Sequence, residues 1–442
     1  MFEFLSGDRV PTPSAPDAAT LRAWAVVLRE VERHASDAER IDQIRALEEL
    51  KCAAEARQAV LAADFDASQR EAAARRGVPA ERQGRGVAEQ IALARRESPH
   101  RGSQHLGLAK VLSTELPFTM AAFSAGRITE WRATLIARET ACLELGHRRE
   151  IDAALAADAD RLEAMGEREL VGEARRLAYA LDPEALVARR RRAERERRVT
   201  LRPAPDVMSQ VSALLPVAQG VSVHAALSVE ADRLVAQGDP RSRNQIMADT
   251  LVGRVTGQDK AEAVPVHVNL LVDDTALLGA SEAAAHLDGH GPVPAELARA
   301  LVLASPEAAT SLRRIYVAPE TGSLVAMESR ARLFPAVLGG FIRLRDRTCR
   351  TPWCDAPIRH LDHPHDVARG GRTSAFNGQG LCERCNHAKQ AIGWSARSRP
   401  GPRHQIELTT PTGHRYRSLA PLARPPSAVR RQNDTNWAAP SL

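Results

Sequence analysis

Residues 349–389 read CRTPWCDAPIRHLDHPHDVARGGRTSAFNGQGLCERCNHAK, and they hold four of the six cysteines in the chain. Cys349 and Cys354 enclose four residues; 28 positions after Cys354 stands Cys382, which encloses two residues with Cys385. Two close cysteine pairs separated by a loop are the arrangement of a closed zinc site, in which four soft thiolates surround the ion and leave no position for water. Cys349, Cys354, Cys382 and Cys385 are therefore expected to hold a structural Zn²⁺ that folds the chain and does no chemistry. Cys52 and Cys142 lie in helical sequence without a paired neighbour and read as small buried apolar side chains.

The loop between the pairs carries the chemistry. A strand is expected over 358–361 and a turn at Gly370-Gly371, which leaves Asp362 and His363 at the end of the strand. Hydrolysing a phosphodiester needs an activated water, a cation against the phosphate and help for the departing oxygen. A neutral histidine with one divalent metal can supply these. Neighbouring side chains on a strand point to opposite faces, so Asp362 and His363 could divide the work, one facing a metal and the other the attacking water. His360 and His365, on either side of that pair, read as exposed loop histidines.

The order Asp362-His363, Asn377, then CERCNHAK at 382–389 resembles the HNH, or ββα-metal, endonuclease family over about residues 341–395. The resemblance implies that His363 is the general base and that Asn377 braces the loop carrying it. It also implies that Asp362 and Asn386 are the metal-ligand positions, in an asparagine-ended variant of the motif. His387 is the alternative ligand, because adjacent helix positions face about 100° apart and only one of the two can point at the metal. Oxygen ligands suit Mg²⁺ or Mn²⁺. By the same resemblance the metal bridges a phosphate oxygen and the leaving 3′ oxygen. The whole chain further resembles an actinobacterial group in which a helical region called domain of unknown function 222 precedes an HNH module. GPVPAELAR (291–299), RTPWCDAPIRHLDH (350–363) and NGQGLCERCNHAKQ (377–390) carry that likeness.

Charge points the same way. The chain has 61 Lys and Arg against 55 Asp and Glu, but from residue 341 onward the count is 17 against 7. A basic C-terminal quarter would gain most from a polyanion, so DNA is the expected partner, with Arg369, Arg372, Lys389, Arg415 and Arg417 as phosphate contacts. The start MFEFLSGDRV lacks a basic, then apolar, leader, and the longest uncharged stretch, about 207–229, is interrupted by Gln210, Pro216, Gln219, Gly220 and His224. No membrane span and a cytoplasmic location are expected.

Further out, apolar residues at helical spacing such as Leu21, Trp24, Ala25, Leu28 and Val31 predict long helices from about 18 to 63, with shorter ones to about 180. The helices at 117–123 and 129–140 read as bundle packing rather than a DNA-reading helix-turn-helix. The basic run 189–198 reads as a solvated helix face. Strands are expected at 199–201 and 264–272, and hairpins at 314–327 and 405–417. The fold class is α+β: a helical bundle over 1–198, a mixed α/β region over 199–330, the zinc-stapled module over 331–395, a β-hairpin extension over 396–420 and a disordered tail over 421–442. The function expected is metal-dependent DNA endonuclease. The alternative is a zinc-stabilised DNA-binding or assembly protein without turnover, with homo-oligomerisation through the helical region.

Overall fold

The computed structural model describes residues 16–30, 36–257, 270–271, 281–287, 290–304, 328–329 and 333–422. Ten helices lead the described chain: α1 (Ala18–Val27), α2 (Asp37–Arg75), α3 (Val87–Arg95), α4 (Pro99–Thr114), α5 (Pro117–Ser124), α6 (Glu130–Thr140), α7 (Leu145–Ala156), α8 (Ala159–Ala164), α9 (Glu167–Leu181) and α10 (Pro183–Arg195). Their starts are written in the sequence. Ser36, Ser98, Thr129, Asp158 and Asp182 each accept a backbone N–H three residues on, and Pro99 and Pro183 occupy first-turn positions where the missing N–H costs nothing. Helix α5 starts after Leu116, which cannot cap. Buried Asp152 of α7 does so instead, accepting from the N–H groups of Phe118 and Thr119 at 2.8 and 3.0 Å.

Cys52, Leu112, Phe123, Ile136, Ile151, Leu162 and Leu170 join in one apolar core, so α5 and α6 serve bundle packing. Cys142 is only half-buried at the edge of that core. Arg189 of the basic run reaches the backbone carbonyl of Glu139 at 3.0 Å, while Arg191 and Arg192 lie exposed on α10.

The hairpin of β1 (Arg198–Ala204) and β2 (Met208–Leu214) follows, then the helix pair α11 (Val217–Ala236) and α12 (Arg243–Thr256). Next come the small antiparallel sheet of β3 (Leu270–Leu271), β4 (Ala285–Leu287) and β5 (Gly291–Val293), and helix α13 (Ala295–Ala304). The strand expected at 264–272 is seen only in its β3 portion. Its first six residues and Val272, the hairpin at 314–327 and the tail from 423 lie outside the described residues. Among the described residues no helix is long and apolar enough to cross a membrane.

Strand β6 (Glu328–Ser329) and helix α14 (Ala336–Asp346) introduce the C-terminal region. It comprises β7 (His360–Asp362), β8 (Thr373–Ser374), β9 (Gln379–Leu381), α15 (Glu383–Lys389) and the antiparallel sheet β10 (Ser395–Arg399), β11 (Gln405–Thr409), β12 (Arg415–Leu419). β7 pairs with β9, placing Asp362 opposite Gln379, and β8 pairs with β6. The chain is thus α+β, mostly helical, with small sheets. The expected hairpin at 405–417 is β11–β12, and β10, missed in the sequence, completes its sheet. The strand expected at 358–361 begins at His360, since Pro357 instead bridges back to Thr348.

Candidate metal centre and hydrolytic loop

The turn between α14 and β7, closed by the Thr348–Pro357 bridge, and the start of α15 meet at the four cysteines. Their sulfurs all lie within 4.8 Å of one another, with Cys354 to Cys382 at 3.7 Å and Cys354 to Cys385 at 3.6 Å. Four thiolates about 2.3 Å from a tetrahedral zinc stand about 3.8 Å apart, so the donor set and its spacing fit that ion. All four side chains are buried with Leu381, and Cys382 caps α15, its sulfur accepting the Cys385 N–H at 3.4 Å. Hydrogen bonds among the crowded thiols, with Cys349 foremost, drive Cys382 below and Cys385 above the ordinary thiol range. Trp353 and Asp355, on either side of Cys354, take left-handed φ of 60° and 49°, a conformation that closing the knuckle imposes on residues with side chains.

Strand β7 turns its last residue towards α15. The Asp362 carboxylate accepts from Gln379 Nε2 at 2.8 Å and from Lys389 Nζ at 3.1 and 2.8 Å. His363 faces elsewhere: its Nε2 lies 3.0 Å from Thr373 Oγ1, and its ring stacks on Phe334 with centroids 4.3 Å apart. Burial holds this imidazole below its ordinary pKa, so at pH 7 it is neutral and able to accept a proton. Asp362 and His363 thus meet different partners, the first towards α15 and the second towards Thr373 and Phe334.

Asn377 closes the loop that begins at His363. Its amide oxygen accepts the His365 N–H at 2.9 Å, and its Nδ2 donates to the carbonyls of His365 and Arg372, each at 2.9 Å. Three bonds from one buried side chain pin both ends of the loop. Gly371 permits the closure, because a Cβ there would collide with the His365 carbonyl oxygen.

On α15, Asn386 stands three residues before Lys389, a spacing that sets the two on neighbouring positions of one helix side. Among the described residues no hydrogen bond engages its side-chain amide. His387 lies exposed, its ring 6.4 Å from that of exposed His360. Lys389, expected as a phosphate contact, is placed inward: its side chain is 7% exposed and its ammonium also meets Asp366 Oδ1 at 3.1 Å and the His363 carbonyl. Position 389 follows the knuckle residue Cys385 by four, which puts both on the buried side of the helix. Arg369, Arg372, Arg415 and Arg417 are exposed. Between the last two, Tyr416 packs edge-on against Trp353 of the knuckle, with ring centroids 6.0 Å apart.

Under the loop lies an ionic lattice. Buried Asp346, at the end of α14, accepts from Arg345 Nε at 2.7 Å and the Gly380 N–H at 2.8 Å, and Arg350 Nε stands 3.7 Å away. Arg345 donates onward to the carbonyls of Ala375 and Gly378, and Arg350 to those of His404 and Ser418, tying α14, the loop, β9 and the final sheet together. Asp346→Ala would leave two guanidiniums buried without their counter-charge and should cost about 3–5 kcal/mol; chemical denaturation of the purified variant measures it. Beside the lattice, His404 Nε2 donates to the Phe376 carbonyl at 3.0 Å, and burial, aided by Arg345 and Arg350, lowers its pKa to about 4. The unfolded chain, with a histidine pKa of about 6.5, binds more protons between these values. Stability should therefore fall as pH drops from about 6.5 to 4, and His404→Gln, which keeps a donor, should flatten that slope in a pH series of thermal melts.

Residues 44–346, more than half of the chain, match the family described as Domain of unknown function (DUF222). The chain belongs to that family. It is also similar to an uncharacterized protein, Rv3776, of Mycobacterium tuberculosis, at 28% identity over 376 residues that cover 75% of this chain and 69% of the relative. No solved structure matches. The DUF222 match ends at Asp346, so the knuckle and the loop of this DUF222 chain lie beyond it. Sequence reading missed Phe334, Thr373, Gln379 and Asp366. Each is common in type and reaches the site through strand pairing or loop closure, which leaves no local pattern.

Proposed function

We propose that the C-terminal region is a metal-dependent endonuclease of the HNH, or ββα-metal, class that hydrolyses phosphodiester bonds in DNA. The observation that carries this reading is the Asn377 staple. It fixes the loop whose first residue, neutral His363, stands next to Asp362 at the end of a strand backed by α15. His363 is the general base, taking the proton of the attacking water, while Thr373 and Phe334 hold its ring. Asp362 and Asn386 offer a carboxylate and an amide oxygen, hard donors that suit Mg²⁺ or Mn²⁺. Such an ion, when bound, supplies positive charge against the phosphate and the leaving 3′ oxygen. The zinc knuckle is scaffold only. Arg369, Arg372, Arg415 and Arg417 are the candidate phosphate contacts, exposed on the surface of this region.

One observation favours a second reading, a zinc-stabilised DNA-binding or assembly protein without turnover: the Asp362 carboxylate is already neutralised by the Lys389 ammonium. Self-association through the helical region would use the exposed apolar row Ile41, Ile44, Leu47 and Leu50 of α2. Zinc-loaded protein, freed of other metals, is incubated with supercoiled plasmid and Mg²⁺ or Mn²⁺. Nicked or linear product that depends on the added ion supports the endonuclease; a shifted but uncut plasmid with either ion supports the second reading.

A further inference from the structure

Helix α3 is buried on every side. Each residue from Val87 to Leu93 is buried, whereas a helix at a domain surface normally hides only one stripe. One face explains itself within the bundle, where Val87, Ala88 and Ile91 pack with Ala62, Leu106 and Ala109 of α2 and α4. The other face, Gly86, Glu89, Gln90 and Leu93 at helical spacing, is covered by the C-terminal region. Leu93 shares an apolar cluster with Trp394, Ala396, Ile406 and Leu408. Gln90 Oε1 accepts from Thr412 Oγ1 at 3.1 Å. Gly86, with φ of 84°, lets the indole in, since a Cβ there would stand 2.5 Å from Trp394 Nε1. Glu89 Oε1 accepts from Arg384 Nε at 2.6 Å, and Arg384 also donates to Ser103 Oγ of α4.

Arg384 lies between Cys382 and Cys385 and two residues before Asn386. The helix that carries them, α15, has seven residues, too few to hold its own direction in water. We propose that α3 is a positioning shelf for α15: the Glu89–Arg384 pair fixes the rotation of the short helix and thereby the aim of Cys385 and Asn386. This gives the helical bundle a task in the site, that of a rigid back wall, with Glu89 and Arg384 as positioning residues. The Asn386 half of the inference rests on the endonuclease reading; the Cys385 half does not.

The test uses the full-length, zinc-loaded protein. Glu89→Gln keeps the shape of the side chain and removes its charge, and the double change Glu89→Arg with Arg384→Glu reverses the pair. Val87→Ala, on the opposite face of α3, serves as a control that loosens the bundle alone. Two quantities are read: the rate of zinc transfer to a colorimetric chelator, and Mn²⁺ affinity by calorimetry. Outer partners of metal ligands typically alter affinity 10–100-fold. Glu89→Gln should therefore speed zinc transfer and weaken Mn²⁺ each by about tenfold, the reversed pair should recover most of both, and Val87→Ala should leave both near wild type. Zinc transfer and Mn²⁺ affinity both within twofold of wild type in Glu89→Gln, or equal acceleration in Val87→Ala, would overturn the shelf. A wild type that takes up no Mn²⁺ but whose zinc transfer responds to Glu89→Gln upholds the shelf at Cys385 and sinks the endonuclease reading alone.

Discussion

Cys385→Ser, or removal of zinc by a strong chelator, should unfold the segment from about residue 348 to 389 while the helical bundle keeps its structure. The expected loss is on the order of 10 kcal/mol, the scale at which structural zinc stabilises small modules. The size follows from how short the elements around the knuckle are; the Asp346 lattice and the Asn377 staple brace the loop, but neither joins the two cysteine pairs. Strands β7, β8 and β9 have three, two and three residues, and the buried cluster at the centre of the segment is the four cysteines with Leu381. Units this small rarely hide enough apolar surface to offset the entropy of ordering their backbone. Here the left-handed turns at Trp353 and Asp355 add to that cost. Zinc analysis, far-ultraviolet circular dichroism and limited proteolysis before and after chelation check the prediction. A stripped protein with the same protease resistance across 348–389 would refute the structural role of the knuckle.

The second large effect concerns catalysis. If the loop hydrolyses DNA, His363→Ala should lower the nicking rate by about 10²–10⁴-fold, the usual contribution of a positioned general base, with DNA affinity and zinc content unchanged. The side chain is not a structural keystone. It touches Thr373 and Phe334, whereas the loop is closed by Asn377 and the fold beneath it by the Asp346 lattice. Asn377→Ala makes the informative contrast. It deletes three hydrogen bonds to the loop backbone, so activity and thermal stability should fall together, whereas His363→Ala should lower activity alone. Gel-resolved plasmid nicking beside melting curves separates the two, and nicking by His363→Ala at the wild-type rate would remove this histidine from the mechanism.

Much of this molecule can be read in one dimension. Cysteine spacing pointed to the four-sulfur cluster because two cysteines close in sequence can turn both sulfurs to one point, and two such pairs make a four-ligand site. Ser36, Ser98, Thr129 and Asp182 also lie open to reading as helix starts, because capping is a contact between residues three apart, though it is apolar spacing alone that predicts the helices above. Asp362 and His363 could be assigned to opposite faces because the alternation of a strand is local. The inward burial of Lys389 was also legible, through its four-residue offset from Cys385, but a count of basic residues weighs charge and ignores which side of a short helix bears it.

What the sequence by itself determined, then, is whatever depends on contacts between near neighbours: the helices and their caps, the paired cysteines, the order of the loop residues. Tertiary structure alone decided which backbone groups Asn377 would bind, that Asp346 would gather Arg345, Arg350 and Gly380 beneath the loop, that Asp152 would cap a helix 34 residues away, and that α3 would be covered on both faces. The links that decide them, Asn377 to His365, Asp346 to Gly380 and Asp152 to Phe118, join residues 12, 34 and 34 positions apart. Their chemistry is ordinary at every position taken singly, and only the burial of polar groups away from water makes their pairing obligatory.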